Sequence, residues 1–245
     1  MHHFVKLKLF HTVKKTSGSY VRNTTSALRL NKSINLDITN KCTLACERCV
    51  RSLYDYEDTK VPGGDMSVDD YLKVLKWFDK IEFCGNVSDP TLHPKLPEFL
   101  ALADQHNKQC IVHVAASHRP VDWFINTFHA NRNAIWHFGI DGLPADSCNY
   151  RHRQDGTKLF DLMVAGRDIV KKVVWQYIIF SYNEKDIDTA TSLARYLGIE
   201  IKFTKSSRFF ANDPLKPSEG MYIPRKGFEQ ALRQRYENQT KVPAI

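Results

Sequence analysis

Long apolar runs are missing from this chain of 245 residues: none approaches the roughly 18 residues that would suggest a membrane span. The first ten residues have no continuous apolar core of the length a secretion signal uses. Both absences predict a cytoplasmic protein with no membrane partner, in a reducing interior where its six cysteines stay thiols. Nothing repeats at a short period, which excludes a solenoid. Acidic residues are absent from positions 1–36, which hold seven Lys/Arg, and scarce in 202–245, with four against nine Lys/Arg. The net charge is +8, so the stretch between these two carries a net negative charge. Basic ends suit contact with a polyanion such as DNA, RNA or a nucleotide, or simply a solvated surface. The acid-poor start also resembles a transit peptide, but the alternation of Val5, Leu7 and Leu9 reads as a strand rather than an amphipathic helix. No cysteine follows Cys148.

What is present centres on three cysteines. Cys42, Cys46 and Cys49 stand at spacing C-x3-C-x2-C, directly after the alternating run Ile34, Leu36, Ile38. An odd triplet cannot be consumed by disulfides among its own members. Iron–sulfur clusters are held by cysteine thiolates and usually take four. Three thiolates leave one iron an open position, which is where a bound metal does chemistry. A structural zinc would need a fourth Cys or His close by, and the sequence after Cys49 offers none nearby.

The rest of the chain alternates between two periods. Strands are predicted at 33–39, 81–84, 110–115, 134–140, 173–180 and 199–203. Between them lie a helix capped by Ser67 with Tyr71, Leu72, Val74, Leu75 and Phe78 on its apolar face, and helices at 96–106, 121–129, 159–170 and 186–197. Gly198 supplies the last stop. Residues 51–64 read as a loop with a Pro62-Gly63-Gly64 turn, and 228–236 as a short basic helix. Strands alternating with helices mean βαβ crossovers and a parallel sheet in one α/β domain. Sites in such folds are built on loops at the carboxyl ends of the strands.

The string Asp37-Ile38-Thr39-Asn40-Lys41-Cys42, continued by Cys46 and Cys49, resembles the cluster loop of the radical S-adenosylmethionine (SAM) superfamily. That resemblance implies a partial (β/α)6 barrel over residues 33–205, with basic extensions at 1–32 and 206–245. It implies a 4Fe–4S cluster on Cys42, Cys46 and Cys49, and SAM chelated at the fourth iron. One electron, from a reductant such as flavodoxin or ferredoxin, would cleave SAM to methionine and a 5′-deoxyadenosyl radical that abstracts hydrogen. The lack of cysteines beyond Cys148 implies a single cluster without an auxiliary-cluster domain.

By the same resemblance, Gly85, Asn86 and Asp89 after the second strand stand where family members hold the SAM amino group, although Asn86 replaces a glycine and Asp89 arrives late. Ser117, Asp141 and Asn183 end the third, fourth and fifth strands and join the cofactor-binding set, with Asn183 placed at a ribose hydroxyl. Arg151 and Arg153 compete for the SAM carboxylate, and Arg153 is carried forward. The position before the third cysteine, commonly aromatic or His, is Arg48 here. Further strings, including Ile140-Asp141-Gly142-Leu143, resemble compact radical SAM proteins of phage and bacterial genomes, some of which act on modified thymine in DNA. The open readings are therefore a nucleotide- or DNA-modifying enzyme, a peptide-modifying enzyme, and a non-catalytic iron–sulfur electron carrier or nucleic-acid-binding protein.

Overall fold

The computed structural model describes residues 32–224 except 57 and 211. The strand read at Val5–Leu9 and the helix read at 228–236 lie outside the described residues. The elements run β1 (Ser33–Leu36), α1 (Arg51–Tyr56), α2 (Val68–Trp77), β2 (Lys80–Phe83), α3 (Leu96–Gln105), β3 (Gln109–Val114), α4 (Val121–Ala130), β4 (Ile135–Gly139), α5 (Gly156–Arg167), β5 (Lys172–Ile178), α6 (Ile187–Tyr196) and β6 (Glu200–Thr204). All neighbouring strands pair parallel, in the order β1-β2-β3-β4-β5-β6. Among the described residues the ladder is open, with β1 and β6 as its edges.

Local chemistry explains the boundaries. Ser67 caps α2 by accepting the N–H of Asp70 at 3.1 Å, with Asp69 and Asp70 on the positive end of the helix. Asp155 caps α5 through the N–H of Lys158 at 2.9 Å. Gly198 follows α6 at φ +65°, a conformation that costs glycine nothing. α1 was not expected. It starts two residues after Cys49, whose carbonyl accepts both the N–H and the hydroxyl of Ser52. The turns at Pro90–Leu92 and Pro144–Asn149, read as loop, are short 3-10 segments.

The sheet has two unlike faces. Leu36, Phe83, Val112, Val114, Trp136, Phe138, Trp175 and Tyr177 point into the main hydrophobic core with Tyr71, Leu75, Phe99 and Phe128 of the helices. Phe128 meets Trp136 edge-on at 4.8 Å, and Phe160 meets Trp175 at 5.1 Å. Contacts of this kind add about 0.5–1.5 kcal/mol beyond the area they bury. The alternate residues, Asn35, Glu82, His113, His137 and Gln176, face the other way, because successive side chains of a strand project to opposite sides.

Candidate cofactor site at the carboxyl ends of the strands

The cysteine triplet lies on the loop after β1, at the carboxyl end of the sheet. All three thiols are free and half-buried. Backbone amides already point at two of them: Leu44 N–H to Cys42 Sγ at 3.5 Å, and Arg51 N–H to Cys49 Sγ at 3.4 Å. Cys49 N–H closes on the Cys46 carbonyl at 3.1 Å, which curls the loop. Burial, then the Asp89 carboxylate, pushes the Cys42 thiol up to about 12. Burial also raises Cys46, against the pull of Arg151. Thiols so reluctant to ionise are poor free nucleophiles, and a metal would have to displace their protons on binding. Among the described residues no three His, Cys, Asp or Glu side chains converge on one metal-ion position. The donor set therefore does not suit a single zinc. Three thiols spread along a curled loop suit a cluster, in which each ligates a different iron. His93 is excluded as a further ligand, since its Nε2–H is given to the Met66 carbonyl at 3.1 Å and its Nδ1 accepts from Lys95 N–H at 3.1 Å.

Around this loop a polar belt stitches each strand end to the next. Asp37, just past β1, accepts the backbone N–H of Asn86 at 3.0 Å and the Ser88 hydroxyl at 2.6 Å. The loop can fold this tightly because residue 85 is glycine: a Cβ there would sit 1.8 Å from the Ser88 carbonyl oxygen. Asp89, buried, receives Thr91 N–H at 3.0 Å, the Thr91 hydroxyl, and the N–H groups of Ala115 and Ala116 at 2.8 Å each. Gln154, also buried, gives its amide hydrogens to the Ala115 and Gly139 carbonyls at 2.7 and 2.9 Å, joining the ends of β3 and β4. Asp141 carries the belt to β5, accepting Ile178 N–H at 2.7 Å and pairing with Arg151 at 2.7 Å.

Several sequence readings change on this geometry. A carboxylate has about four acceptor positions, and those of Asp89 are spent inside the protein, so it clamps β2 to β3 instead of meeting an ammonium group. Asn183 is fully buried. Its oxygen accepts Phe180 N–H at 2.8 Å and its amide donates to Ile178 at 3.0 Å, so it caps the end of β5 and does not reach a ribose. Ser117 is buried and accepts Asp155 N–H at 2.8 Å, fastening the loop before α5. Arg153 stands exposed on a left-handed backbone at φ +71°. Arg151 is the arginine at the site: its guanidinium lies where a Cβ on Gly139 would be, 2.8 Å from that position. Burial works against its charge, and Asp141, with Cys46 and Tyr150, more than restores it, so Arg151 stays cationic. Burial raises the Asp141 carboxyl, and Arg151 opposes that shift. Gly85, Asn86 and Asp141, read from the sequence as cofactor-binding residues, lie in the belt. Gln154 was missed, and nothing about a lone Gln before a helix cap marks it out.

Two further groups belong to this end of the molecule. Arg48 forks onto Asp213 through Nε at 3.0 Å and an Nη at 2.9 Å, and its guanidinium lies 4.9 Å from the Phe210 ring centroid. Cys46 packs against a small aromatic cluster of Tyr150, Phe180 and Phe209, with Leu215 and Tyr222 beside it. On the sheet face away from the helices, His113 Nε2 meets Glu82 at 2.7 Å and its Nδ1 meets Gln176 at 3.3 Å. His137 stands at 4.6 Å from His113, ring to ring. Burial, then the charge of His113, lowers His137 to about 4.

The chain matches no family model. Over 74 residues it is 31% identical to the tungsten-containing aldehyde ferredoxin oxidoreductase cofactor-modifying protein of Pyrococcus furiosus, a match covering 28% of this chain and 19% of that protein. The fold is similar to that of anSMEcpe solved with AdoMet and a peptide bound, with TM-score 0.57 and 12% identity over 86% of this chain and 62% of that one. It is similar to SuiB of Streptococcus suis bound to its precursor peptide SuiA, with TM-score 0.58 and 11% identity over 86% of this chain and 45% of that one. TYW1 with a lysine-pyruvate adduct gives TM-score 0.50 and 14% identity over 75% and 68%. The chain thus spans about three-fifths or less of the first two structures and a fifth of the Pyrococcus protein. Among the described residues no helix is long and apolar enough to cross a membrane.

Proposed function

We propose that the chain is a radical SAM enzyme, with a 4Fe–4S cluster held by Cys42, Cys46 and Cys49. The observation that carries this reading is the placement of a C-x3-C-x2-C triplet on the loop after the first strand of a six-stranded parallel sheet, in a fold similar to an AdoMet-bound protein. When bound, the cluster would supply the single electron that cleaves SAM to the 5′-deoxyadenosyl radical. The chain's own part is to hold three thiolates in a curled loop, to keep the surrounding strand ends rigid through the belt, and to present the cationic Arg151 beside Cys46. A fixed cation of this kind suits a carboxylate, and SAM carries one.

The basic residues of 1–36 and 202–245 favour a nucleotide or DNA base as the hydrogen donor, including modified thymine. A peptide substrate is the second reading, favoured by the peptides bound in anSMEcpe and SuiB. A flavodoxin or ferredoxin would serve as electron donor.

The test is anaerobic reconstitution followed by incubation with SAM and dithionite. The proposal expects about four irons per chain, release of 5′-deoxyadenosine, and loss of both in Cys42→Ala, Cys46→Ala and Cys49→Ala. Deuterated thymidine nucleotides, DNA and peptides then compete as donors, and label enters 5′-deoxyadenosine only from the true class. A fully loaded protein that releases no 5′-deoxyadenosine would instead be an electron carrier or a binding protein.

A further inference from the structure

After β6 the chain turns back over the carboxyl ends of the strands. Ser181 donates its N–H to the Leu215 carbonyl at 3.1 Å and its hydroxyl to the Pro214 carbonyl. Glu184 accepts the N–H and hydroxyl of Ser218 at 2.7 and 2.9 Å. Those bonds fasten the segment to the loop after β5. Its other attachment is to the cysteine loop, after β1. There Asp213, with no exposed side-chain surface, takes the two-pronged bond from Arg48, and Arg208 donates to the Arg48 carbonyl at 3.3 Å. Asp213 also accepts Leu215 N–H at 3.0 Å, which sets the carboxylate's direction. Phe209, Leu215 and Tyr222 complete the apolar wall that Cys46 touches. The segment therefore joins the loop after β1, one edge of the ladder, to the loop after β5, next to the other edge, β6; among the described residues β1 and β6 do not pair.

We infer that residues 206–210 and 212–224 form a strap that holds the cysteine loop in its ligating shape, with Arg48 and Asp213 as the clasp. Arg48, between Cys46 and Cys49, is thereby a positioning residue for the iron–sulfur centre, an assignment that rests on the cluster reading above. Two parallel N–H···O bonds fix orientation as well as distance, and an ammonium group cannot reproduce them. With most of the pair out of water, removing Arg48 strips the buried Asp213 carboxylate of its guanidinium, and removing Asp213 leaves Arg48 with the half-exposed Glu47 at 3.3 Å in place of a buried, two-pronged partner. The loop would then lose its hold on one side while the belt, on the other side, stayed intact.

The experiment uses the full chain, reconstituted anaerobically, as wild type, Arg48→Lys, Asp213→Asn, Phe210→Ala and the exchanged pair R48D/D213R. Iron release to EDTA is followed in each, with the EPR spectrum of the reduced cluster before and after SAM addition. Amide exchange is measured on the iron-free proteins. Supporting groups around metal ligands typically change metal affinity ten- to a hundredfold, so Arg48→Lys and Asp213→Asn should release iron roughly tenfold faster or more. Exchange should rise together in residues 42–49 and 206–216, and the exchanged pair should recover part of both effects. If a single variant fails to fold by circular dichroism, Phe210→Ala, which keeps both charges, carries the comparison with a smaller effect in the same direction. Wild-type release rates together with exchange confined to one of the two stretches would overturn the strap. A wild type that binds no iron would instead overturn the cluster reading, while the coupled exchange would still decide whether the strap holds the loop.

Discussion

Towards the helices the sheet shows Phe83, Trp136, Phe138, Trp175 and Tyr177, each without exposed surface, in one continuous apolar core. On its other side the same strands carry Glu82, His113 and Gln176, partly exposed and bonded through His113, with the His137 ring 4.6 Å from that of His113. His137 Nδ1 and Thr204 Oγ1 on that side are buried without a hydrogen-bond partner. The helix side has such an atom too, Trp136 Nε1, so what distinguishes the second face is its partly exposed polar side chains and not its unpartnered atoms. The first face holds the fold together, and the second is free to serve chemistry. If that division is right, substitutions on the two faces should differ in what they damage.

The largest effect is expected on the helix side. Trp136→Ala removes a fully buried indole that Phe128 meets edge-on, and should cost about 3–5 kcal/mol in urea unfolding. His137→Leu, one residue along the same strand, should cost under about 1 kcal/mol, because it removes an unpartnered buried polar atom along with the ring. Equal losses from the two would erase the distinction between the faces.

The rim between the faces is a middle case. Gly85→Ala forces a methyl to within 1.8 Å of the Ser88 carbonyl oxygen, in a residue whose hydroxyl is tied to Asp37. Overpacking of this kind costs about 1–3 kcal/mol. Gly64→Ala is the control: a Cβ there has nothing within 4 Å, and the change should be neutral or slightly stabilising. Thermal melts of the two variants separate a required close approach from ordinary loop flexibility. Gly85→Ala should also slow cluster assembly, because its loop supports Asp37 at the foot of the cysteine loop.

How far the sequence revealed all this depends on the kind of pattern. The six strands and the five longer helices were legible because alternation and the 3.6-residue period report burial directly, and because Ser67 and Gly198 punctuate the chain. The cysteine loop was legible from spacing alone. The belt was only half legible. Asp89 and Asn183 stood at the right strand ends, but sequence cannot tell a side chain that meets a ligand from one that closes on its own backbone. Arg151 and Arg153 were indistinguishable until φ at 153 turned its side chain outwards and the bare backbone of Gly139 made room for the other. The partnership of Arg48 with Asp213 spans 165 residues, and no local period records it. The polar set Glu82, His113 and Gln176 was hidden for a related reason: its members are single alternate positions on three different strands, assembled only by the register of the sheet.

The smallest expected effect tests the polar face by acidity. His137 is held neutral first by burial, then by His113 and Lys202, with Glu82 and Glu200 pulling the other way, and its folded-state value falls from 6.5 to about 4. Between those two values the unfolded chain binds a proton there that the folded chain refuses. The contribution of His137 to stability is therefore complete above pH 6.5 and is lost progressively as pH falls towards 4. The ring is only partly enclosed, so solvent screening makes the effect modest. Nitrogen chemical shifts of His137 should show a midpoint far below that of a free imidazole. In His137→Leu the fall in stability between pH 6.5 and 4 should be shallower than in the wild type. A normal midpoint would mean that the polar face is open to water at His137.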